Sequence, residues 1–366
     1  MNITSQRLFN QHIVNPTLGD PAELVKWMGA IQAQDYLGSL WAIGLRLKNN
    51  TERDIEKAIA EKKIIRSWPI RGTLHFVASE DLRWMLKWLT PRVFQRSAGL
   101  FKEAGLNNKV IIKCIKLFTA ALRDGKALTR NEMYAVLENS RISTANQRGL
   151  HIIGHLAQMG ILCFGPRKGK QHSFVLLDEW LPSNSIPGRE ESLAMLCSTY
   201  FSSHGPATIQ DFAWWSGLTI TESKNSIESI KSKLASEKIN EKIYWACPKL
   251  TGRSSRQIFL LPSYDEYLVA YRDRTAAFDG VNIDKIKNSG NGIFSSPIII
   301  NGRLGGIWKR SITKEELLVD ISLFEPLTVE IEKSIVSEVR HLGKFLNLRL
   351  KLSIGYGKTQ KKIDVL

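Results

Sequence analysis

Gln32-Ala33-Gln34-Asp35 sets two carboxamides two positions apart with a carboxylate directly behind them. A second polar run, Arg71-Gly72-Thr73-Leu74-His75, follows further along the chain. Carboxamides do not titrate, so the pair is a poor choice for general acid–base hydrolysis. It is suited to holding a water, or to stabilising a cationic centre whose leaving group is already activated. Two side chains two apart share a face only on extended backbone; on a helix they diverge by about 200°. The spacing of Leu24, Val25, Met28 and Ile31 predicts a helix over 21–33, so the pair needs a helix end or kink near Ala33.

The elements that position these residues follow a repeated pattern. Asp20-Pro21-Ala22-Glu23, Thr129-Arg130-Asn131-Glu132 and Thr208-Ile209-Gln210-Asp211 each read as a helix N-cap, the third being the weakest box. Behind the second box, Ser143-Thr144 reads as a cap for a helix carrying Leu150, Ile153, Leu156 and Met159 on one face and ended by Gly160. Behind the third, Ser216-Gly217-Leu218 is a turn, and Thr219 with Glu222 caps the next helix. A hairpin closes each unit: 161–164 with 173–176, 238–246, and 64–68 with 73–77 around Pro69. Helix, turn, helix and hairpin predict a winged helix. After Arg256 the pattern changes: 259–262, 298–300, 305–308 and 345–352 read as strands punctuated by Gly292, Gly302 and Gly305-Gly306. The fold expected is mainly α (α+β): three tandem winged-helix domains at 1–105, 106–186 and 187–255, plus a small C-terminal β-barrel-like domain at 256–366. The best boundaries are 182–188 and 252–255.

Lys and Arg number 51 against 35 Asp and Glu, a formal charge of +16. That excess points to a polyanionic partner, with no membrane called for. The stretch 139–177 holds no acid. It carries Arg141, Arg148, Arg167, Lys168, Lys170 and His172, on the second helix and wing of the second unit, where a winged helix meets DNA. A second acid-free stretch, 82–102, interleaves basic residues with Trp84, Trp88, Phe94 and Phe101; the tryptophans read as a core stripe. His151 and His155 are spaced for half a metal site, but no third ligand stands out, and neither metal nor cofactor is expected. The four cysteines form no CxxC pair, so reduced thiols and a cytoplasmic, nucleoid setting are expected.

Amides, charge and modules meet in one reaction. Excising a base breaks an N-glycosidic bond through an oxocarbenium-like state. A purine alkylated at N7 or N3 already carries positive charge and leaves without an acid, so the protein has only to orient water and stabilise the cationic sugar. Gln32 and Gln34 are the catalytic candidates; Asp35, Arg71 and His75 are accessory candidates. The rival reading is a non-catalytic winged-helix regulator or architectural DNA binder, in which the glutamines simply cap a helix.

At these residues the chain resembles the AlkZ-like (YcaQ-related) bacterial DNA glycosylases. The resemblance runs through 31–34, 40–46, 71–75, 163–166, 204–208, 211–217, 261–268 and 306–310. It implies three winged helices and a β-domain around a DNA channel. It also implies monofunctional removal of N7-alkylated purines from double-stranded DNA, in some members with unhooking of interstrand crosslinks. A three-module clamp can work alone, so a monomer is expected. The family hallmark Gln-x-Gln carries the catalytic role to Gln32 and Gln34. Tyr264 and Asn301 depart from the family pattern, both outside the pair.

Overall fold

The computed structural model describes residues 2–248, 258–278, 295–313, 315–326, 328–357 and 359–365. After α1 (Ile3–Asn10), a first repeat comprises α2 (Pro21–Met28), β1 (Ile31–Gln32), α3 (Tyr36–Gly44), α4 (Glu52–Ala60), β2 (Ile64–Ile70) and β3 (Thr73–Ala78). Helices α5 (Ser79–Leu89) and α6 (Pro91–Glu103) lead to a second: α7 (Asn108–Leu122), β4 (Leu128–Thr129), α8 (Arg130–Asn139), α9 (Arg148–Gln158), β5 (Leu162–Phe164) and β6 (Ser173–Leu176). After α10 (Leu177–Trp180), a third uses α11 (Arg189–Ser203), α12 (Ile209–Ser216), α13 (Ile220–Ile230), β7 (Ala235–Ile239) and β8 (Lys242–Ala246). Its first strand is reduced to a bridge between Ala207 and Trp245. The first two sheets share one strand order, β1-β3-β2 and β4-β6-β5.

Capping explains where several helices start. Thr129 with Glu132, Thr208 with Asp211 and Thr219 with Glu222 all form reciprocal boxes. Three sequence expectations shift. Helix α2 stops at Met28 rather than Ala33, because Gly29 adopts φ +73°, a conformation that favours glycine. Helix α9 starts at Arg148 behind a left-handed Gln147, while Thr144 spends its amide and hydroxyl on Glu138. The β2–β3 hairpin turns at Arg71-Gly72; Pro69 lies inside β2 at a register shift.

The C-terminal region is not the barrel expected. It is an open six-stranded sheet, β14-β13-β12-β11-β10-β9, built from β9 (Ile258–Leu260), β10 (Ser296–Ile300), β11 (Arg303–Ile312), β12 (Glu316–Leu323), β13 (Arg349–Tyr356) and β14 (Thr359–Val365). One helix, α15 (Val329–Leu346), links the parallel pair β12 and β13. It buries Ile335, Val339, Leu342 and Phe345 in the core. The sheet is closed off by a helix layer instead of by pairing its own edges. The strand expected over 345–352 therefore divides between the end of α15 and β13. Gly292 and the 252–255 boundary lie outside the described residues.

This sheet shares a hydrophobic core with the first repeat. Trp41 of α3 is fully buried, packs 5.3 Å from the Phe345 ring and donates its Nε1–H to Leu260 O at 2.7 Å. Arg46 makes a bidentate pair with Asp265, both bonds 2.7 Å and both side chains wholly buried. Asp265 caps the short helix α14 (Glu266–Val269). The start of α14 is thereby fastened against the first repeat, which puts Glu266 beneath β1.

Candidate active site

Gly29 ends α2 and lets the chain turn into β1, which pairs antiparallel with β3: Ile31 faces Phe76 and Gln32 faces His75. A Cβ at Gly29 would come within 2.9 Å of Thr199 Cγ2, so the close approach also requires glycine. Ala33 and Gln34 continue without helix until α3 starts at Tyr36. The helix that would turn the two carboxamides apart is therefore absent: Gln32 ends the strand and Gln34 opens a bend.

Every residue of this segment is gripped. The Gln32 N–H donates to Glu266 Oε1 at 2.7 Å, and the Ala33 N–H to Leu74 O at 2.7 Å. Ala33 O accepts from Arg66 Nε and Nη2 at 3.1 and 2.8 Å. Gln34 Oε1 accepts the Leu74 N–H at 3.2 Å. Among the described residues nothing bonds the Gln32 carboxamide, although its residue is only 8% exposed. Gln34 is exposed. The site thus offers one free, nearly buried amide beside one tethered, open amide.

His75 is fully buried behind Gln32. Its Nδ1 lies 2.9 Å from Thr73 O, so that nitrogen carries the proton and Nε2 is left a buried acceptor with no partner among the described residues. Burial first, and the Arg71 charge second, push its pKa down to about 4. At neutral pH it is uncharged and acts as no acid. Arg71 donates Nη1 to Trp214 O and Trp215 O, at the last turn of α12. Both residues of this accessory pair thus serve the hairpin and its docking. Asp35 is half-exposed, at the N-cap of α3 without a side-chain cap bond, 3.5 Å from Arg310 Nη2.

The β5–β6 loop brings the second repeat's cations to this segment. Arg167 lies 5.1 Å over the Tyr36 ring and donates to Glu56 Oε1 at 2.9 Å; the Tyr36 hydroxyl donates to Glu56 Oε2. His172 packs edge-on to Tyr36 at 4.6 Å, and burial with Arg66 and Arg167 lowers its pKa to about 4. Lys168 and Lys170 are exposed, Lys168 standing 3.7 Å from Glu132. Arg141 is exposed. Arg148 instead bonds the carbonyls of Ala104 and Ser143, which leaves it little to offer a phosphate. His155 packs between Phe94 and Phe101. Trp84 is buried and Trp88 packs partly buried against the core, as expected for a core stripe. Among the described residues no three His, Cys, Asp or Glu gather to hold a metal, and no helix is long and apolar enough to cross a membrane.

Two residues beside the amides were not singled out from the sequence. Glu266 is 1% exposed and takes a second N–H, from Trp215 Nε1 at 3.1 Å, with His204 Nε2 at 3.5 Å. Burial raises its pKa, but His204, His75 and the Gln32 N–H more than offset this and hold it below the usual carboxylate value. Arg66 is 6% exposed and stacked near Phe164 at 4.6 Å; burial lowers it to about 10. A charged arginine inside the strand-like run Ile64-Ile65-Arg66-Ser67-Trp68 was the available signal, as was an acid pair heading Tyr267-Leu268-Val269.

The chain matches known proteins along most of its length. A family model described as DNA glycosylase AlkZ-like matches residues 25–345. The chain is 22% identical over 336 residues to the interstrand DNA cross-link repair glycosylase of Streptomyces sahachiroi, covering 86% of this chain and 87% of that one. The solved structure of Streptomyces sahachiroi DNA glycosylase AlkZ superposes with a TM-score of 0.79 at 20% identity, over 97% of this chain and 98% of that one.

Proposed function

This chain belongs to the AlkZ-like family of DNA glycosylases, and from that premise we propose that it hydrolyses the N-glycosidic bond of purines alkylated at N7 or N3 in double-stranded DNA. Unhooking of interstrand crosslinks is included, as the name of the relative from Streptomyces sahachiroi suggests. The observation that carries this reading is the uncommitted Gln32 carboxamide beside exposed Gln34 on a non-helical segment.

The cationic purine departs with the electrons of its bond to C1′. The sugar is left as an oxocarbenium-like cation. The Gln32 carbonyl dipole, unopposed by any donor among the described residues, faces that charge. Gln34 directs a water to C1′ through the groups its tether leaves free, and as the new C–O bond forms the water passes its proton to bulk solvent, the base having left neutral. The three repeats act as winged-helix units spanning 1–105, 106–186 and 187–255, with the sheet region at 256–366 behind them. Arg141, Lys168 and Lys170 hold phosphates, and Arg167 and His172 brace Tyr36 beside the amides. A non-catalytic DNA binder would have no use for a nearly buried amide kept free of partners.

Single-turnover release of N7-methylguanine from a duplex oligonucleotide tests this. Gln32→Ala and Gln34→Ala should each lower the rate on the order of 100-fold, the scale for removing one preorganised polar group, with affinity for undamaged duplex within about twofold. Unchanged release in both variants would end the assignment. A lesion panel that includes a crosslinked duplex then ranks substrates.

A further inference from the structure

The Gln32–Gln34 segment is held from opposite ends by two buried side chains of opposite charge. On one side Glu266, which follows the end of Gln32 by 234 positions, accepts the Gln32 N–H. On the other, Arg66 sends both Nε and Nη2 into Ala33 O. Taking an ion out of water is costly unless it is repaid by strong hydrogen bonds. This fold repays that cost for Arg46 and Asp265 by pairing them with each other. Arg66 makes no ion pair with any carboxylate among the described residues; its two bonds go to one carbonyl of the catalytic segment. Glu266 divides its two oxygens between the Gln32 N–H and Trp215 Nε1–H. Two buried charges therefore spend hydrogen bonds on this segment, Glu266 on the 31–32 peptide and Arg66 on the 33–34 peptide.

Resting on the glycosylase reading above, we propose that Glu266 and Arg66 are positioning residues that hold this peptide extended, so that both carboxamides face the anomeric carbon together. The reason is geometric. Side chains two apart share a face only while the backbone between them stays extended, and a misplacement of about 1 Å at a reacting centre can cost 100-fold. Pulling the N–H of Gln32 one way and the carbonyl of Ala33 the other leaves the segment no freedom to rotate into the helix that follows. Neither residue touches the sugar; both act through the amides.

The test combines rate, binding and local backbone protection in the full chain. Glu266→Gln has one acceptor where the carboxylate has two, so either the Gln32 or the Trp215 donor goes unmet. Arg66→Met keeps the stem and loses both donors. Each should slow single-turnover N7-methylguanine release by tenfold or more, with undamaged-duplex affinity within twofold. Hydrogen exchange should rise across residues 31–35 and stay unchanged elsewhere. Arg66→Lys, which restores one donor, should recover part of the rate. Release within twofold of the parent in both variants, or unchanged exchange at 31–35, overturns the proposal. So does exchange that rises throughout the chain with rate and affinity falling together in all three variants, the mark of a merely structural role. A parent protein that releases no base fails the glycosylase reading instead, and the exchange data still decide the positioning.

Discussion

The first and second repeats are built to one plan, and their junctions between first strand and second helix differ in an informative way. The registers coincide: Ile31 and Gln32 face Phe76 and His75, where Leu128 and Thr129 face Phe174 and Ser173. In the second repeat α8 starts one residue after Thr129, and in the third α12 starts one residue after Thr208. In the first, α3 starts four residues after Gln32, so Ala33, Gln34 and Asp35 are three additional residues at this point. The two short junctions satisfy themselves through Thr129–Glu132 and Thr208–Asp211 boxes. The long one has no cap bond from Asp35; Arg66 and Glu266 supply what it lacks from outside. A scaffold joint that normally looks after its own polar groups has been lengthened and opened; Gln32 stands at its edge, where Thr129 stands in the second repeat, and Gln34 on the added length.

The largest stability effect should come from the anchor that brings Glu266 to this joint. Arg46→Ala would strand Asp265 as an unpaired buried charge and deprive Gln11 and Ala42 of a donor. Breaking one side of such a pair costs about 3–5 kcal/mol. The denaturation midpoint should fall accordingly and excision with it, since α14 carries Glu266. A loss of stability with full excision would detach the anchor from the site.

The His75 position gives the next effect. Its folded pKa, about 4, lies below the unfolded value near 6.5, so the unfolded chain takes up the proton first on acidification. Stability is therefore fully present above pH 6.5 and is lost as pH falls toward 4. Linkage gives about 2 kcal/mol lost from this residue between pH 7.5 and pH 5. His75→Asn should flatten that part of the pH dependence in chemical denaturation. The corresponding Ser173 of the second repeat has nothing to titrate, and an unchanged slope in the variant would place the acid sensitivity elsewhere.

What could be read from the sequence was local. The Gln pair, the boxes at Thr129, Thr208 and Thr219, and the hairpins after each helix pair are contiguous signals. The α2 stop was hidden because Ile31 continues the helical spacing past Met28, although Gly29 was in view. The open sheet was not legible, because closure depends on how edges and α15 meet in space rather than on any strand's own pattern. Charge composition singled out Arg148 together with Lys170, yet one bonds carbonyls and the other is exposed. Composition cannot tell a cation bound for solvent from one bound for a backbone oxygen. Glu266 and Arg66 were missed for the same reason: their importance lies in partners that only the fold brings near.

The smallest effects bear most directly on the joint itself, through matched substitutions at its two versions. Thr129→Ala removes the hydroxyl that accepts the Glu132 N–H, and should cost about 1 kcal/mol of stability while leaving excision unaltered. Asp35→Ala removes a side chain at the equivalent helix start that makes no cap bond and meets Arg310 only at 3.5 Å while half-exposed. Arg310 is largely buried and Asp35 only half so, which puts this long pair at the upper end of the range of about 0–1 kcal/mol for solvent-reached ion pairs, so stability should fall by about 1 kcal/mol or less. Excision should stay within about threefold of the parent, because the carboxylate is engaged toward Arg310 rather than poised over a water. The contrast is one-sided. A costly Asp35→Ala would mean that the long joint caps itself after all, and the outside grip of Arg66 and Glu266 would be redundant. A stable variant that excises 100-fold more slowly would make Asp35 the group that takes the proton from the attacking water, and the added length would then carry two catalytic side chains, Gln34 and Asp35, instead of one.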